Sequence, residues 1–157
     1  MTGGGEGELR QEIYIEAPPS TVFALLTDAT RMVSWLAEVV EAEPHPGGRF
    51  RISESGGTTV EGTYVEVVAD RKVVFTWGGV MGLAPGQTTV EFVLEPVDSG
   101  TRVKLRQFGL PGPAFEPHDK GWVSGLQKLK SAAEGHEPGG LCLGDAIHPA
   151  GSGRDAP

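Results

Sequence analysis

The sequence has a single cysteine, few basic residues and no long apolar run. One cysteine, Cys142, excludes an internal disulfide and is ordinary for a reducing compartment, so we expect the protein in the cytoplasm. The 13 Lys and Arg residues against 21 Asp and Glu residues give a net charge of −8. This shortage of positive charge argues against nucleic acid and against an anionic membrane surface as partners. No stretch is long and apolar enough to span a bilayer, and we expect no signal peptide.

Motifs for metals, cofactors and nucleophilic catalysis are lacking as well. The four histidines show no ligand spacing, and Cys142 has no companion thiol. Ser124 falls in the middle of a predicted helix and not on the strand-to-helix turn that a nucleophilic serine requires. The glycine run near the start follows no strand, so it is not a phosphate or dinucleotide loop. We therefore expect no metal and no cofactor.

Glycine and proline, by contrast, are abundant, with 24 and 12 residues, and both ends of the chain are rich in glycine. Residues 1–7 are mainly glycine and acid, and residues 137–157 mix glycine and proline without apolar periodicity. We predict a flexible N-terminus over 1–7, one folded domain over 8–136, and a Gly/Pro-rich, disordered tail over 137–157. Whether the tail docks on the domain through Cys142 and its apolar neighbours stays open.

The sequence of the domain predicts one strand, two short helices, a run of strands and a long helix. RQEIYIEA alternates like a strand, and PSTVFALLT and ATRMVSWL follow as helices, the second with Asp28 as its cap. Five further segments are rich in β-branched and aromatic residues and are bounded by turn residues. They are RFRIS, TTVEGTYVEVV, KVVFTWG, TTVEFVLEP and TRVKLRQFG. Without βαβ alternation, this order predicts an α+β fold with an antiparallel sheet.

The last helix is predicted from about Pro117 to Glu134, because proline suits a first turn and Gly135 suits a stop. Its apolar stripe comprises Trp122, Leu126, Leu129 and Ala133. Lys128, Lys130 and Glu134 are predicted largely on the opposite side. The simplest packing lays the stripe across one face of a curved sheet.

Several ordered blocks resemble a known family. APPSTVFALLTDATRMVSWL, PGGRF, EGTYVEVVADRKVVFTW and HDKGW followed by LQKL are similar to the activator-of-heat-shock-ATPase homologues. That family belongs to the START-like, or SRPBCC, superfamily of helix-grip proteins. The resemblance implies a curved antiparallel β-sheet wrapped around the long C-terminal helix, with a hydrophobic cavity between them. It implies that Trp35, Trp77 and the Gly121–Trp122 pair match characteristic positions, but it leaves the activity open, because members range from lipid carriers to chaperone activators.

The candidate pocket is lined by large side chains that alternation and helical spacing turn towards the helix start. For any single tryptophan we favour the interpretation of an ordinary core residue, although large aromatic rings near an incomplete core can also form a pocket wall. The loop Gly78–Gln87 either covers the pocket as a lid or packs on the core. The predicted lining residues are Trp35, Phe50, Tyr64, Trp77, Met81, Phe92, Leu105, His118, Trp122 and Leu126.

His118 has two interpretations. A histidine at a pocket mouth suits general acid–base work, since its pKa lies near neutrality. A lone histidine without a partner is more often a packed or capping residue, and we favour that interpretation. No residue is assigned as catalytic, and whether the protein catalyses any reaction stays open.

Three functions are consistent with the sequence. The first is binding of a small apolar or aromatic molecule in the cavity between sheet and helix. The second is a polyketide cyclase or dehydratase-like enzyme, with His118 and a pocket acid or a tyrosine such as Tyr64 moving protons. The third is regulation of an ATPase chaperone through protein–protein contact. This function would need an exposed apolar or charged patch and would not require a cavity. The sequence does not separate monomer from homodimer.

The first prediction concerns the two ends of the chain. A protein trimmed to residues 8–136 should fold with nearly the stability of the full chain, because the removed segments lack a periodic apolar face. Urea unfolding of both proteins measures this. A loss of several kcal/mol on trimming would show that the tail docks.

Overall fold

The computed structural model describes residues 8–54, 57–80 and 82–135 of the 157. These residues form three helices and seven strands. The helices are α1 (Pro19–Thr27), α2 (Ala29–Met32) and α3 (Gly112–Ala133). The strands are β1 (Glu8–Ile15), β2 (Val39–Ala42), β3 (Arg49–Ser53), β4 (Thr59–Val68), β5 (Lys72–Trp77), β6 (Thr88–Val97) and β7 (Gly100–Phe108). Among the described helices, none is long and apolar enough to cross a membrane.

All seven strands belong to one antiparallel sheet in the order β1-β7-β6-β5-β4-β3-β2. Strands β2 to β7 are hairpin neighbours in chain order, so α1 and α2 carry the chain from β1 at one edge to β2 at the other. The sheet is curved. Helix α3 comes after its last strand, β7, in the sequence. The predicted α+β helix-grip architecture is confirmed.

The sequence analysis missed one strand, β2. It is four residues long and pairs only with β3, with Val40 opposite Ile52. Its side chains alternate between half-buried and exposed, and Val39 is 56% exposed. A short edge strand with three acidic residues in or beside it carries too weak an apolar signal to be separated from a loop.

The middle of β4 combines a glycine that closely approaches β5 with a shift in the pairing register. At Gly62 an added Cβ would overlap the carbonyl oxygen of Thr76 on β5. The next backbone N–H, that of Thr63, donates to Thr76 Oγ1 at 2.9 Å, and the register shifts between Tyr64 and Glu66. A glycine and a bulge together let one strand turn sharply while its groups stay bonded. This turn brings β2 and β3 round towards the helix.

Two aromatic side chains fix the end of α1 in the core. The indole nitrogen of Trp35 donates to the carbonyl of Leu25 at 2.7 Å, and the hydroxyl of Tyr64 donates to the carbonyl of Leu26 at 3.2 Å. The last carbonyls of a helix lack helical partners, so these bonds satisfy groups that would otherwise be buried unpaired. The predicted second helix is shorter than expected: α2 ends at Met32, and the chain continues through turns that place Trp35 inside.

Helix α3 begins earlier than predicted, at Gly112 and not at Pro117. Pro113 occupies the first turn, and Gly112 before it has no Cβ to clash with the proline ring, so both residues suit a helix start. Pro117 therefore lies inside the helix. The prediction started the helix at Pro117 because proline suits a first turn, but Pro113 meets the same condition one turn earlier. His118 and Trp122 consequently lie in the second and third turns.

The apolar stripe of α3 is confirmed, but its polar side is partly wrong. Trp122, Leu126 and Leu129 are buried, whereas Lys128, predicted to face solvent, is only 8% exposed. Lysine can bury its methylene stem along an apolar surface while its ammonium group finds a polar partner. Periodicity alone does not reveal that arrangement.

Lys130 and Glu134 also contact the sheet. Lys130 Nζ donates to the carbonyl of Tyr14 at 3.2 Å and lies 2.6 Å from Glu134 Oε2. The same carboxylate accepts the backbone N–H of Glu16 at 2.8 Å. The last turn of α3 thus supplies partners to backbone groups at the end of β1, which protects that edge of the sheet.

Substitutions at two glycines should change the stability of the fold in opposite directions. Gly62→Ala should destabilise the fold by about 1–3 kcal/mol, because the new methyl group overlaps backbone on β5. Gly121→Ala should stabilise it by up to about 1 kcal/mol, because α3 gains alanine's helix propensity and the methyl group meets nothing within 4 Å. Urea unfolding of both variants measures the difference. Equal effects would contradict the bend at Gly62 or the open space at Gly121.

Candidate ligand pocket

A pocket of about 140 Å³ lies between α3 and the half of the sheet formed by β3, β4 and β5. Helix α3 supplies one wall, while the strands and the segment after α2 supply the other. The lining residues are Leu36, Ile52, Thr58, Val60, Trp77, Val80, His118, Gly121, Trp122, Ser124 and Gly125. Most of these side chains are aliphatic or aromatic. Thr58, Gly121 and Ser124 are exposed and form the rim.

Two indole rings face each other at the pocket. Trp77, the last residue of β5, and Trp122 on α3 have ring centroids 5.2 Å apart with planes inclined at 47°. Trp122 also meets the ring of Phe92 edge to face, with centroids 5.8 Å apart. Paired aromatic rings present a large, flat and rigid contact surface to an apolar molecule.

A chain of buried hydrogen bonds holds the Trp122 ring. Its indole nitrogen donates to Gln107 Oε1 at 2.8 Å, and Gln107 Nε2 donates to Thr88 Oγ1 at 2.9 Å. Thr88 Oγ1 in turn donates to the carbonyl of Trp77 at 2.8 Å. Gln107 is fully buried and Thr88 is 1% exposed. The chain therefore ties Trp122 on the helix to the backbone of the facing tryptophan.

His118 holds the second indole, and its two bonds define its tautomer. Trp77 Nε1 lies 3.1 Å from His118 Nε2, and His118 Nδ1 lies 2.9 Å from the carbonyl oxygen of Ala114. An indole N–H can only donate and a carbonyl can only accept. His118 is thus neutral, with its proton on Nδ1 and its Nε2 accepting from Trp77.

This arrangement leaves His118 poorly suited to be a general base. The side chain is 3% exposed, and both ring nitrogens already have partners within the protein. Burial lowers the pKa of His118, with the bond to Ala114 acting in the opposite direction. A second proton would point an N–H at the N–H of Trp77. The interpretation of His118 as a packed residue, which we favoured, agrees with these contacts.

Three of the ten predicted lining residues, Trp77, His118 and Trp122, line the pocket. Trp35 and Tyr64 are instead buried against the end of α1, as described above. Phe50, Phe92, Leu105 and Leu126 are buried in the core around the pocket. Phe50, for example, stacks on Phe75 with ring centroids 4.0 Å apart. Met81 lies outside the described residues.

The lining residues that the prediction omitted are mostly small or aliphatic. Ile52 and Val60 lie opposite each other on β3 and β4, and both are buried. Alternation along RFRIS puts Ile52 on the same face as Phe50, so the sequence carries a signal for it. Ser124 and the two glycines share one side of α3 with His118, at spacings of three and four residues. The predicted lining consists of large side chains, which fill a core. The pocket also depends on small residues, which leave space unfilled.

The described part of the loop between β5 and β6 contacts both the core and the pocket. Leu83 is 5% exposed and belongs to the core, whereas Val80 lines the pocket. Two backbone bonds of 2.9 Å close the loop, from Gly79 to Leu83 and from Leu83 to Val80. Packing therefore anchors one end of the loop while the other forms part of the pocket wall.

Charged side chains lie on the opposite face of the sheet in cross-strand pairs. Arg51 lies 3.2 Å from Glu61, and Arg106 lies 2.9 Å from Glu91. Exposed pairs of this kind contribute little stability each. Over the residues that the structure describes, no group of three or more His, Cys, Asp and Glu side chains could hold a metal ion.

The neutral state of His118 predicts a pH dependence of stability. The unfolded chain takes up a proton near pH 6.5, and the folded chain resists it until lower pH. The free energy of unfolding should therefore fall as the pH drops below about 6.5, by up to about 1.4 kcal/mol per pH unit from this residue. In His118→Gln this contribution should vanish. Urea unfolding of both proteins from pH 5 to 7.5 compares the slopes, and equal slopes would contradict a neutral buried His118.

Comparison with known proteins places the chain in a family. The model of the family described as Activator of Hsp90 ATPase homolog 1-like protein matches residues 16–134. Among solved structures, an AHSA1-like protein from Rhizobium etli is 30% identical with a TM-score of 0.70, covering 95% of this chain and 92% of its own. A protein from Mesorhizobium loti is 24% identical with a TM-score of 0.73, covering 80% and 95% of the two chains.

A third similar structure, described as the Aha1 dimer from Colwellia psychrerythraea, is 22% identical with a TM-score of 0.71, covering 81% and 96% of the two chains. No curated protein matched the sequence. The two relatives below 25% identity support the fold, while the family match spans most of the folded domain. The chain therefore belongs to the Activator of Hsp90 ATPase homolog 1-like family.

Proposed function

We propose that this protein binds a small apolar molecule in the pocket between α3 and the sheet. The observation that carries the proposal is an open space beside two indole rings, each held in place by a hydrogen bond. Protein interiors are close-packed, and a space lined by apolar side chains is a ready binding site for an apolar ligand. The pocket has its rim at the surface, where Gly121 leaves room for entry.

The volume limits the ligand to about one ring. An engineered apolar cavity of about 150 Å³ holds benzene, and this pocket measures about 140 Å³. At about 0.8 kcal/mol per buried CH₂ group, a six-carbon ring gains roughly 5 kcal/mol, equivalent to a dissociation constant on the order of 0.2 mM. Groups that extend past the rim onto the surface would add to this affinity.

The enzyme alternative has less support from the contacts. It required two polar groups converging on the pocket, and it named His118 with an acid or with Tyr64. The Tyr64 hydroxyl donates to Leu26 and lies at the end of α1, and burial raises its pKa. His118 has both nitrogens bonded within the protein. The two residues therefore do not form a proton-transfer pair at this pocket.

The chaperone alternative follows from the family description and from the Aha1 relative. Regulation of an ATPase chaperone would act through the surface of the domain and would not require the pocket. A change that fills the pocket should therefore leave such a role intact. This difference separates the two functions experimentally.

The proposal is tested by titrating toluene while following the indole N–H signals by NMR. The signals of Trp77 and Trp122 should shift, whereas that of Trp35 should not, because its indole is bonded to Leu25 away from the pocket. In Gly121→Leu the shifts should weaken severalfold, because the leucine fills space at the rim, while thermal stability should stay at or above that of wild type.

The matched control is Lys120→Leu, which adds the same side chain at a neighbouring exposed position outside the pocket lining. This variant should bind toluene like wild type. Absence of any shift in the wild-type protein, or equal loss of binding in both variants, would contradict the proposed function.

A further inference from the structure

The chemistry of the pocket wall narrows the class of ligand. The inferred ligand class rests on the proposed binding function. It follows from the chemical groups that the lining residues present to a ligand. Among the described lining residues, none carries a charged side chain. Nothing in the described wall therefore compensates the cost of bringing a charge out of water.

The polar atoms deep in the pocket are already committed to other partners. The indole nitrogens of Trp77 and Trp122 donate to His118 and Gln107, respectively. The ring nitrogens of His118 are both bonded as well. A ligand group facing these residues would meet ring carbons and aliphatic carbons. The buried part of the ligand must then be hydrocarbon in character, because a polar group there would lose its bonds to water without replacement.

The rim differs from the interior. Thr58 and Ser124 are exposed residues that line the pocket and carry hydroxyl groups, one before β4 and the other on α3. A hydroxyl can both donate and accept a hydrogen bond, so it suits a neutral polar group such as an amide, an alcohol or a phenol. It offers no charge to balance a carboxylate or an ammonium group.

We infer that the pocket selects an uncharged, single-ring molecule whose hydrocarbon ring enters beside the paired rings of Trp77 and Trp122 and whose one polar group stays at the rim beside Thr58 and Ser124. The two indoles form one wall against the ring, the pocket volume of about 140 Å³ encloses about one ring, and the rim hydroxyls orient the polar group. Charged analogues of the same shape are rejected because the wall holds no counter-charge.

The test uses three probes of nearly identical shape and different charge: benzamide, benzoate and benzamidinium. Their affinities for the full-length wild-type protein are measured through the Trp77 and Trp122 indole signals at neutral pH, with toluene as the reference ligand. Benzamide should bind at least about tenfold more tightly than either charged probe. Benzoate or benzamidinium binding as well as benzamide, with toluene also bound, would overturn the inference while leaving the proposed function standing.

A charge placed at the rim should change the selectivity in a predictable way. Ser124→Lys should tighten benzoate binding roughly fivefold relative to toluene binding by the same variant, the upper range for an exposed ion pair. The matched control is Val123→Lys, at a neighbouring exposed position of α3 outside the pocket lining, which should give no gain.

The results can contradict the inferred ligand class and the proposed binding function separately. No gain for benzoate in Ser124→Lys, or the same gain in both lysine variants, would overturn the placement of the polar group at Ser124. Toluene that shifts no indole signal in wild type or variants would remove the proposed function itself, and the ligand class would fall with it.

Discussion

The position of α3 on the sheet depends on hydrogen bonds that cross the helix–sheet interface in both directions. Trp77 on β5 donates to His118 on α3, and Trp122 on α3 donates to Gln107 on β7. Apolar packing is non-directional and would tolerate small rotations of the helix. A buried donor or acceptor left unpaired costs about 1–3 kcal/mol, so rotation of α3 would be penalised at both tryptophans. The two bonds therefore set which side chains of α3 face the sheet.

The pocket is a consequence of that fixed position. Close-packed interiors hold few spaces of this size, and the two indoles beside the pocket are large enough to occupy one. Their nitrogens, however, are bonded to His118 and Gln107, which holds the rings in their positions. The adjacent turn of α3 bears Gly121, whose Cβ position has no neighbour within 4 Å. Rings that are held in place next to a helix position without a side chain leave an open space beside them.

Much of this fold could be predicted from the sequence, because strand alternation reports burial directly. Alternation along TRVKLRQFG puts Val103, Leu105 and Gln107 on one face of β7, and all three are buried. The failures have separate physical causes. Pro113 and Pro117 both suit a first turn, so local preference does not decide which of them begins α3. The burial of Lys128 depends on tertiary packing of its stem, which a local pattern does not show. The pocket was harder to predict than the fold. The large side chains of Trp77 and Trp122 identified them as lining residues. The space beside them, however, is bounded by Gly121, Gly125 and medium-sized aliphatic residues, and no single one of these stands out in the sequence.

The buried polar residues are better explained by geometry than by stability. Burying an amide and a hydroxyl in a core carries a desolvation cost, and replacing a satisfied pair by apolar groups of the same shape is often nearly neutral for stability. Gln107 and Thr88 therefore need a role beyond holding the fold together. Their bonds connect the ring of Trp122 to the backbone of Trp77, the two walls of the pocket. An apolar replacement could fill the same volume, but it would release the Trp122 ring to turn into the space, so the polar chain keeps the pocket open.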